Sequence, residues 1–340
     1  MSEKTTFLGL IGCGVIGERR AQALPSGTKL IGCFDPDSQR SQKIANAYNC
    51  ESLSSIEGLL AMPGLKGVII AAVNSALVPI MKLAAAKGIH ILVEKPAARS
   101  HKELASLNPP SSLIVKIGFN HRFHPAFFDL QNEIKKNPND PIMFIRAQYG
   151  NGARVGFEKE WRSNVEISGG GELLDQGVHV LDLASCLLPD LKVQTGFCRN
   201  HFWQAPVDDN SWALLSTPGG ATFSMHVSST EWKNEFRFEV YTKNRKYQWL
   251  GLGRSYGPEK LIIHTMKPEM GPPETSEKTY PNEDHSWLLE NQNFVDAINL
   301  KTPLNGDYAD GLRSLGHVEK IYQSSLAQQG EKGHPVWWKN

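Results

Sequence analysis

The chain has 340 residues, with 36 Lys+Arg against 35 Asp+Glu and a formal net charge of +1. At about 150 residues per domain this length points to two domains, and the balanced charge excludes a polybasic nucleic-acid or membrane-surface protein and one with an acidic tail. Hydrophobic residues at 40% and charged residues at 21% fit a globular chain with a sizeable core, not a disordered one. No apolar run approaches the roughly 18 residues that span a bilayer. Met1-Ser2-Glu3-Lys4-Thr5-Thr6 leads into Phe7-Leu8-Gly9-Leu10-Ile11 without the long apolar stretch and cleavage site of a secretory signal, so a cytoplasmic protein is expected. Cys13, Cys33, Cys50, Cys186 and Cys198 are odd in number and have no close pair. They are expected to be reduced thiols, neither a disulfide frame nor a zinc site.

Five short, almost wholly apolar runs occupy the first third: Phe7 to Ile11, Lys29 to Phe34, Gly67 to Ala71, Ile89 to Val93 and Leu113 to Ile117. Such runs suit parallel strands covered on both faces. Helical patterns near 17–24, 38–48, 54–61, 76–87 and 100–107 lie between them, which predicts an α/β doubly wound parallel sheet. A helix is predicted near 125–136 and a strand over Ile142 to Tyr149, followed by a polar, loop-like stretch over 150–168. A helix follows from about Glu172 to Leu187 and stops before Pro189. Strand-like runs then cluster: Val193 to Phe202, Ser211 to Ser216, Thr222 to Ser228, Phe236 to Thr242, Lys246 to Leu250 and Leu261 to Thr265. Residues 268–284 are rich in Pro, Gly, Glu and Ser and are predicted to be a long loop, and helices near 286–299 and 307–328 close the chain. The expected organisation is a dinucleotide-binding domain over 1–120 and an α+β domain with a largely antiparallel sheet over 121–340, its C-terminal helices free to pack back on the first domain.

Gly12-Cys13-Gly14-Val15-Ile16-Gly17 fits G-x-G-x-x-G, between a predicted strand and a predicted helix. Gly12 permits a tight turn, Gly14 lets backbone approach a pyrophosphate, and Gly17 allows close helix–sheet packing. The N–H groups of the helix start, at Val15 and Ile16, favour phosphate. Asp35 ends the second strand, 21 residues after Gly14. Its carboxylate can accept from a ribose 2′-hydroxyl and repel a 2′-phosphate, which favours NAD. Arg40 is near enough in sequence to meet such a phosphate, which keeps NADP as the alternative. Glu94-Lys95-Pro96 puts a lysine at the carboxyl end of a parallel strand, the edge where open α/β sheets bind ligands. Pro96 restricts Lys95 to extended backbone, and the bond between them is a candidate cis peptide. Gly169-Gly170-Gly171-Glu172-Leu173-Leu174-Asp175-Gln176-Gly177-Val178-His179 places Asp175 and His179 four apart, on one face of the predicted helix. The three glycines allow backbone to pack closely against a ligand or another element.

Together with Gly118-Phe119-Asn120-His121-Arg122-Phe123 and Trp161-Arg162, these motifs resemble the Gfo/Idh/MocA family (glucose–fructose oxidoreductase, inositol dehydrogenase, rhizopine catabolism), in order and spacing over the whole chain. The resemblance implies a Rossmann domain followed by an α/β domain whose open, mostly antiparallel sheet mediates homodimers or homotetramers. It implies NAD(P)-dependent oxidation or reduction at a sugar, cyclitol or nucleotide-sugar hydroxyl. Lys95, Asp175 and His179 match the family's catalytic positions. Asn120 and Arg122 match positions lining nicotinamide and substrate, with Glu94 and Lys95 on the cofactor side. After the third strand the chain reads Ala72-Val73-Asn74-Ser75-Ala76-Leu77, where many relatives carry Thr-Pro-x-x-x-His. Ala72 and Asn74 are the cofactor contacts expected from this loop.

In the implied chemistry His179 is the general base, since imidazole titrates near working pH. Lys95 hydrogen-bonds the reacting oxygen, stabilises developing alkoxide and favours neutral His179. Asp175 binds a neighbouring hydroxyl. Tyr149, Arg154, Trp161 and Arg162 belong to a loop able to close over the substrate, and arginines there suit a phosphorylated or nucleotide-linked sugar. His121 and His124 lack a carboxylate or thiolate in the sequence pattern to complete a metal site, so no metal is expected. The alternatives to a dehydrogenase are a ketoreductase of unusual-sugar biosynthesis and a non-catalytic dinucleotide or ligand sensor on the same fold.

Overall fold

The computed structural model describes residues 5–300 and 302–329. Met1 to Lys4, read above for a signal segment, and residues 330–340 of the second predicted domain lie outside the described residues. The chain divides into two compact units, Met1–Asn120 with His285–Leu312, and His121–Asp284 with Arg313–Asn340. Residues 285–312, which include one of the predicted C-terminal helices, group with the first unit.

The first unit begins with β1 (Thr6–Ile11), α1 (Val15–Gln22), β2 (Thr28–Phe34), α2 (Ser38–Tyr48), β3 (Glu51–Ser52) and α3 (Ile56–Leu60). It continues with β4 (Gly67–Ile70), α4 (Asn74–Ala86), β5 (His90–Glu94), α5 (His101–Ala105) and β6 (Val115–Gly118). The six strands form one sheet in the order β3-β2-β1-β4-β5-β6, every pairing parallel. Leu8, Leu10, Val68, Ile70, Ile91, Leu92 and Val93 are fully buried, as strands covered on both faces require. The helix starts follow local chemistry. Asp37 caps α2 by accepting from Gln39 N–H at 3.0 Å, and Ser55 caps α3 through Gly58 N–H at 3.1 Å. The strand order reverses between β1 and β4, so their carboxyl ends flank the crevice where such sheets bind ligands.

The second unit holds α6 (Pro125–Lys136), β7 (Ile142–Gly150), α7 (Val165–Ser168), α8 (Val178–Leu187), β8 (Lys192–Arg199), β9 (Asn210–Ser216) and β10 (Thr222–Ser228). Then come β11 (Glu235–Thr242), β12 (Arg245–Leu250), β13 (Lys260–Thr265) and β14 (Glu274–Thr279). Its sheet runs β14-β13-β12-β11-β7-β10-β9-β8, antiparallel except for β7 against β10. Alternation sorts the faces. Ile145, Ala147 and Tyr149 of β7 are buried on the side where α6 and α8 pack, while Phe144, Arg146 and Gln148 are more open. Phe127 of α6 meets Trp249 with ring centroids 5.8 Å apart and Phe238 edge-on at 6.3 Å. The terminal helices are α9 (Ser286–Leu300), in the first unit, and α10 (Tyr308–Gln329). All five cysteines are free thiols, and no helix among the described residues is long and apolar enough to cross a membrane.

Four elements differ from expectation: β3 and α7 fall where no strand or helix is predicted, and two further differences have a readable cause. The predicted loop 268–284 contains β14, whose six residues are all exposed and pair with β13. An edge strand with both faces in water has no apolar alternation to read, and its Glu and Lys residues discourage further pairing. The helix predicted from Glu172 is not uniform. Leu173–Gly177 forms a π-turn, and regular α-helix starts at Val178. Such wide turns occur frequently at functional sites.

Candidate active site

The first unit carries the dinucleotide features. Gly12 has φ +90°, and a Cβ there would overlap the Ala71 carbonyl, while one on Gly17 would overlap the Gly12 carbonyl. These two glycines close a turn that tolerates no side chain. Gly14 is open: among the described residues outside its own chain neighbours, a Cβ there would come no nearer to a heavy atom than 4.0 Å, at Arg40 Nη1. Beside it Val15 is 76% exposed, at the N-terminus of α1. The cradle thus has room for a pyrophosphate over Gly14, Val15 and Ile16, with N–H groups available to hold it. Asp35 accepts from Cys13 N–H at 2.7 Å and Asp37 N–H at 2.9 Å, so its carboxylate is fixed against the loop. Each oxygen retains lone-pair capacity for a hydroxyl. Arg40 is exposed and ion-pairs with Asp37 at 3.2 Å. These residues fit a bound dinucleotide.

Ala72 follows β4, where its N lies 3.0 Å from the position of a Gly12 Cβ. Asn74 starts α4 and is buried. Leu77, at the position where many relatives carry His, is fully buried core. Lys95 lies just beyond β5 and is half-buried, and its bond to Pro96 is cis. Glu94 points inward and pairs with fully buried Arg20 at 2.6 Å. Asn120 is buried and donates to Ser286 Oγ at 3.0 Å.

In the second unit, His179 is 3% exposed in the first turn of α8. Its ring stacks on His121 with centroids 4.0 Å apart, and Tyr149 stands edge-on to it at 6.3 Å. The His121 turn is held by its neighbour Arg122, whose Nε and Nη2 reach Asp182 of α8 at 2.7 and 2.5 Å. Arg122 is thus committed to a bidentate ion pair. Asp175, in the π-turn, is partly exposed and meets Arg162 Nε at 3.5 Å. Arg162 also covers Trp161 at 4.6 Å and approaches Glu160 at 3.8 Å. Arg154 is 70% exposed and grips Glu160 at 2.6 and 2.8 Å. His124 bonds Glu259 at 2.9 Å. Among the described residues no group of three or more His, Cys, Asp or Glu is arranged for a metal ion.

The glycine run packs on protein. A Cβ on Gly171 would overlap Asp208, and one on Gly170 would come 2.5 Å from Tyr322 Oη. Asp208 accepts from Gly171 N–H at 3.0 Å, Leu173 N–H at 2.8 Å, Ser211 at 2.8 Å and Tyr322 at 2.9 Å, and burial pushes its pKa up. This hub fixes the backbone that carries Asp175. Sequence reasoning missed it, because Asp208 lies 33 residues from Asp175 with no motif linking them.

Tyr256 was missed as well. It lies in a short turn between Gly253 and Gly257, and its ring is 5.5 Å from that of Tyr149. Burial pushes its phenol up to about 12, while hydrogen bonds with Tyr149 and Asn151 pull it down and the Glu172 and Asp175 charges raise it. Asn151 Nδ2 also lies 3.5 Å from Glu172 Oε1. Tyr149, Tyr256, Glu172, Asp175 and His179 therefore form one polar, aromatic-walled group. The three glycines around Tyr256 were the available signal.

Residues 7–108 match the family described as "Oxidoreductase family, NAD-binding Rossmann fold", and residues 140–248 match its "GFO/IDH/MocA C-terminal domain". The chain is 26% identical over 341 residues to glucose-6-phosphate 3-dehydrogenase of Bacillus subtilis, covering 95% of this chain and 97% of that protein. It is 29% identical over 321 residues to scyllo-inositol 2-dehydrogenase (NAD(+)) of the same organism, covering 88% of each. A solved structure of levoglucosan dehydrogenase in complex with NADH superposes with a TM-score of 0.83 at 19% identity, over 95% of this chain and 98% of that one. Motifs, fold and comparisons agree that this chain is an oxidoreductase of the Gfo/Idh/MocA family with an NAD-binding Rossmann domain.

Proposed function

We propose that the protein transfers hydride between NAD and a ring carbon bearing a hydroxyl or keto group in a sugar or cyclitol. The observation that carries this reading is the buried His179, stacked on His121 beside Tyr149, with Asp175 in the π-turn that leads into its helix. When bound, the nicotinamide accepts or supplies the hydride. His179 takes the hydroxyl proton during oxidation and returns it during reduction. Lys95 donates a hydrogen bond to the reacting oxygen and stabilises alkoxide as it forms. Asp175 accepts from a neighbouring hydroxyl and sets the ring's orientation, with Tyr149 and Tyr256 as its aromatic wall. Arg122, held by Asp182, keeps the His121 turn in place behind His179. The same residues serve a ketoreductase with His179 as acid.

Arg154 and Arg162 already have carboxylate partners in Glu160 and Asp175. This favours an uncharged ring over a phosphorylated one, since a phosphate there would compete with Glu160 and Asp175 for the same guanidinium groups and meet the repulsion of both carboxylates. The test is a panel of D-glucose, levoglucosan, myo-inositol, scyllo-inositol, glucose 6-phosphate and UDP-N-acetylglucosamine with NAD, followed by absorbance of the reduced cofactor. Turnover is expected with uncharged members. Exclusive turnover of glucose 6-phosphate or the nucleotide sugar would refute the choice of ring, and no turnover in either direction would refute the reaction.

Asp35 sets the cofactor preference. Its fixed carboxylate gains a 2′-hydroxyl contact and repels a 2′-phosphate, a difference of about 1–3 kcal/mol. NAD is therefore expected to exceed NADP in kcat/KM by about 5- to 150-fold. Parity, or preference for NADP, would mean that Arg40 beside Gly14 overrides Asp35.

The second unit's sheet predicts assembly. Its more open face carries Trp212 stacked on His226 at 4.5 Å, Phe144 stacked on Tyr241 at 4.2 Å, and Phe197 and Leu214, which are 40% and 42% exposed. A second copy of the chain covers this apolar material in a homodimer or homotetramer. Sedimentation at micromolar concentration should show a multiple of 37.7 kDa, and Leu214→Arg should shift it toward monomer. A wild-type monomer would remove the proposal.

A further inference from the structure

Arg20 lies on α1, the helix that opens from the glycine loop, and is 0% exposed. Its Nε is 2.6 Å from Glu94 Oε1, and its Nη2 is 2.6 Å from the same oxygen and 2.7 Å from Glu290 Oε2. Nη1 donates to Asn291 Oδ1 at 3.1 Å, and Asn291 Nδ2 donates back to the Arg20 and Ala23 carbonyls at 3.1 and 2.9 Å. The guanidinium sits over the Trp287 ring at 4.5 Å. Trp287, Glu290 and Asn291 share one face of α9 by their three- and four-residue spacing. Gly118 leaves the space open, since a Cβ there would come 2.8 Å from Arg20 Nη2.

Burying a cation with two carboxylates does not by itself stabilise a fold, because apolar side chains of like volume often serve as well or better. What the cluster does fix is geometry. A guanidinium is a planar fork that sets the direction of each bond, which an ammonium does not. Glu94 is held twice: its carboxylate by Arg20, and its carbonyl by Ala97 N–H at 3.0 Å across the turn that contains Lys95 and Pro96. Lys95 is the residue bonded directly to this clamped glutamate.

We infer that Arg20 is a positioning residue for Lys95, acting through Glu94, with Glu290 and Asn291 keeping the guanidinium in register. The helix that presents N–H groups to the dinucleotide phosphates is thereby tied to the strand end that presents the lysine. The inference rests on the proposed role of Lys95 at the reacting oxygen.

The test uses Arg20→Lys, Lys95→Ala and their double variant in the full-length protein, with two readouts. The first needs no substrate: trace acetylation by acetic anhydride, read by peptide mass spectrometry with NADH bound. Arg20→Lys should raise the labelling of Lys95 relative to the other lysines by about 3-fold or more, and leave NADH affinity, read by fluorescence, within about 3-fold. The second is kcat on the uncharged panel member oxidised fastest. Arg20→Lys should lower kcat about 10-fold or more with little change in KM, yet lower it no more than about 2-fold further once Lys95 is alanine. Unchanged Lys95 labelling, or kcat losses that multiply in the double variant, would overturn the inference. Should Lys95→Ala alone retain wild-type kcat, the proposed role of Lys95 fails, while the labelling result still decides whether Arg20 positions it. If Arg20→Lys does not fold, Glu290→Gln substitutes for it, with the same signature expected at about 3-fold in kcat and its absence counting against the inference.

Discussion

His179→Ala is expected to lower kcat by about 10²- to 10⁴-fold, the usual worth of a positioned proton acceptor. NADH affinity, measured by fluorescence titration, should remain within about 3-fold, because the residue belongs to the second unit and the phosphate cradle, Asp35 and Asn120 all belong to the first. The stack on His121 gives the prediction a second edge. His179→Asn keeps a planar polar group against that ring but has no titrating nitrogen. It should be as slow as alanine. Near-full kcat in either variant would move the proton-transfer role elsewhere, with His121 as the nearest candidate.

Lys95→Ala is expected to cost a comparable factor, through lost hydrogen bonding to the alkoxide. The two losses should not multiply. Both residues act on one oxygen in the proposed reaction, so the double variant should be faster than the product of the single effects predicts. Full multiplicativity, measured under identical cofactor saturation, would mean that Lys95 and His179 serve separate steps.

The first unit was legible almost completely. Runs such as Ile91-Leu92-Val93 are buried on both faces, and glycines at 12 and 17 occupy positions where no side chain fits, so composition and motif carried the structure directly. The second unit was less so. β14 has no apolar alternation because neither of its faces is covered. The π-turn at Leu173–Gly177 leaves the same four-residue spacing as an ordinary helix, so the pattern of Asp175 and His179 could not reveal it. The arginines of the 150–168 loop were read from their charge alone, and their partner Glu160 became visible only as a contact. Asp208 and Arg20 meet their partners through long-range packing, for which local spacing carries no signal.

The proposed reaction is direct hydride transfer from a ring carbon to nicotinamide. It is tested by supplying the panel's best uncharged sugar or cyclitol with deuterium on its ring carbons, together with unlabelled NAD, and examining the product by proton NMR. NADH carrying one deuterium at C4 of the nicotinamide, on a single face, and a keto group on the ring are expected. Reduced cofactor without deuterium, or a ring product formed without reduced cofactor, would contradict it.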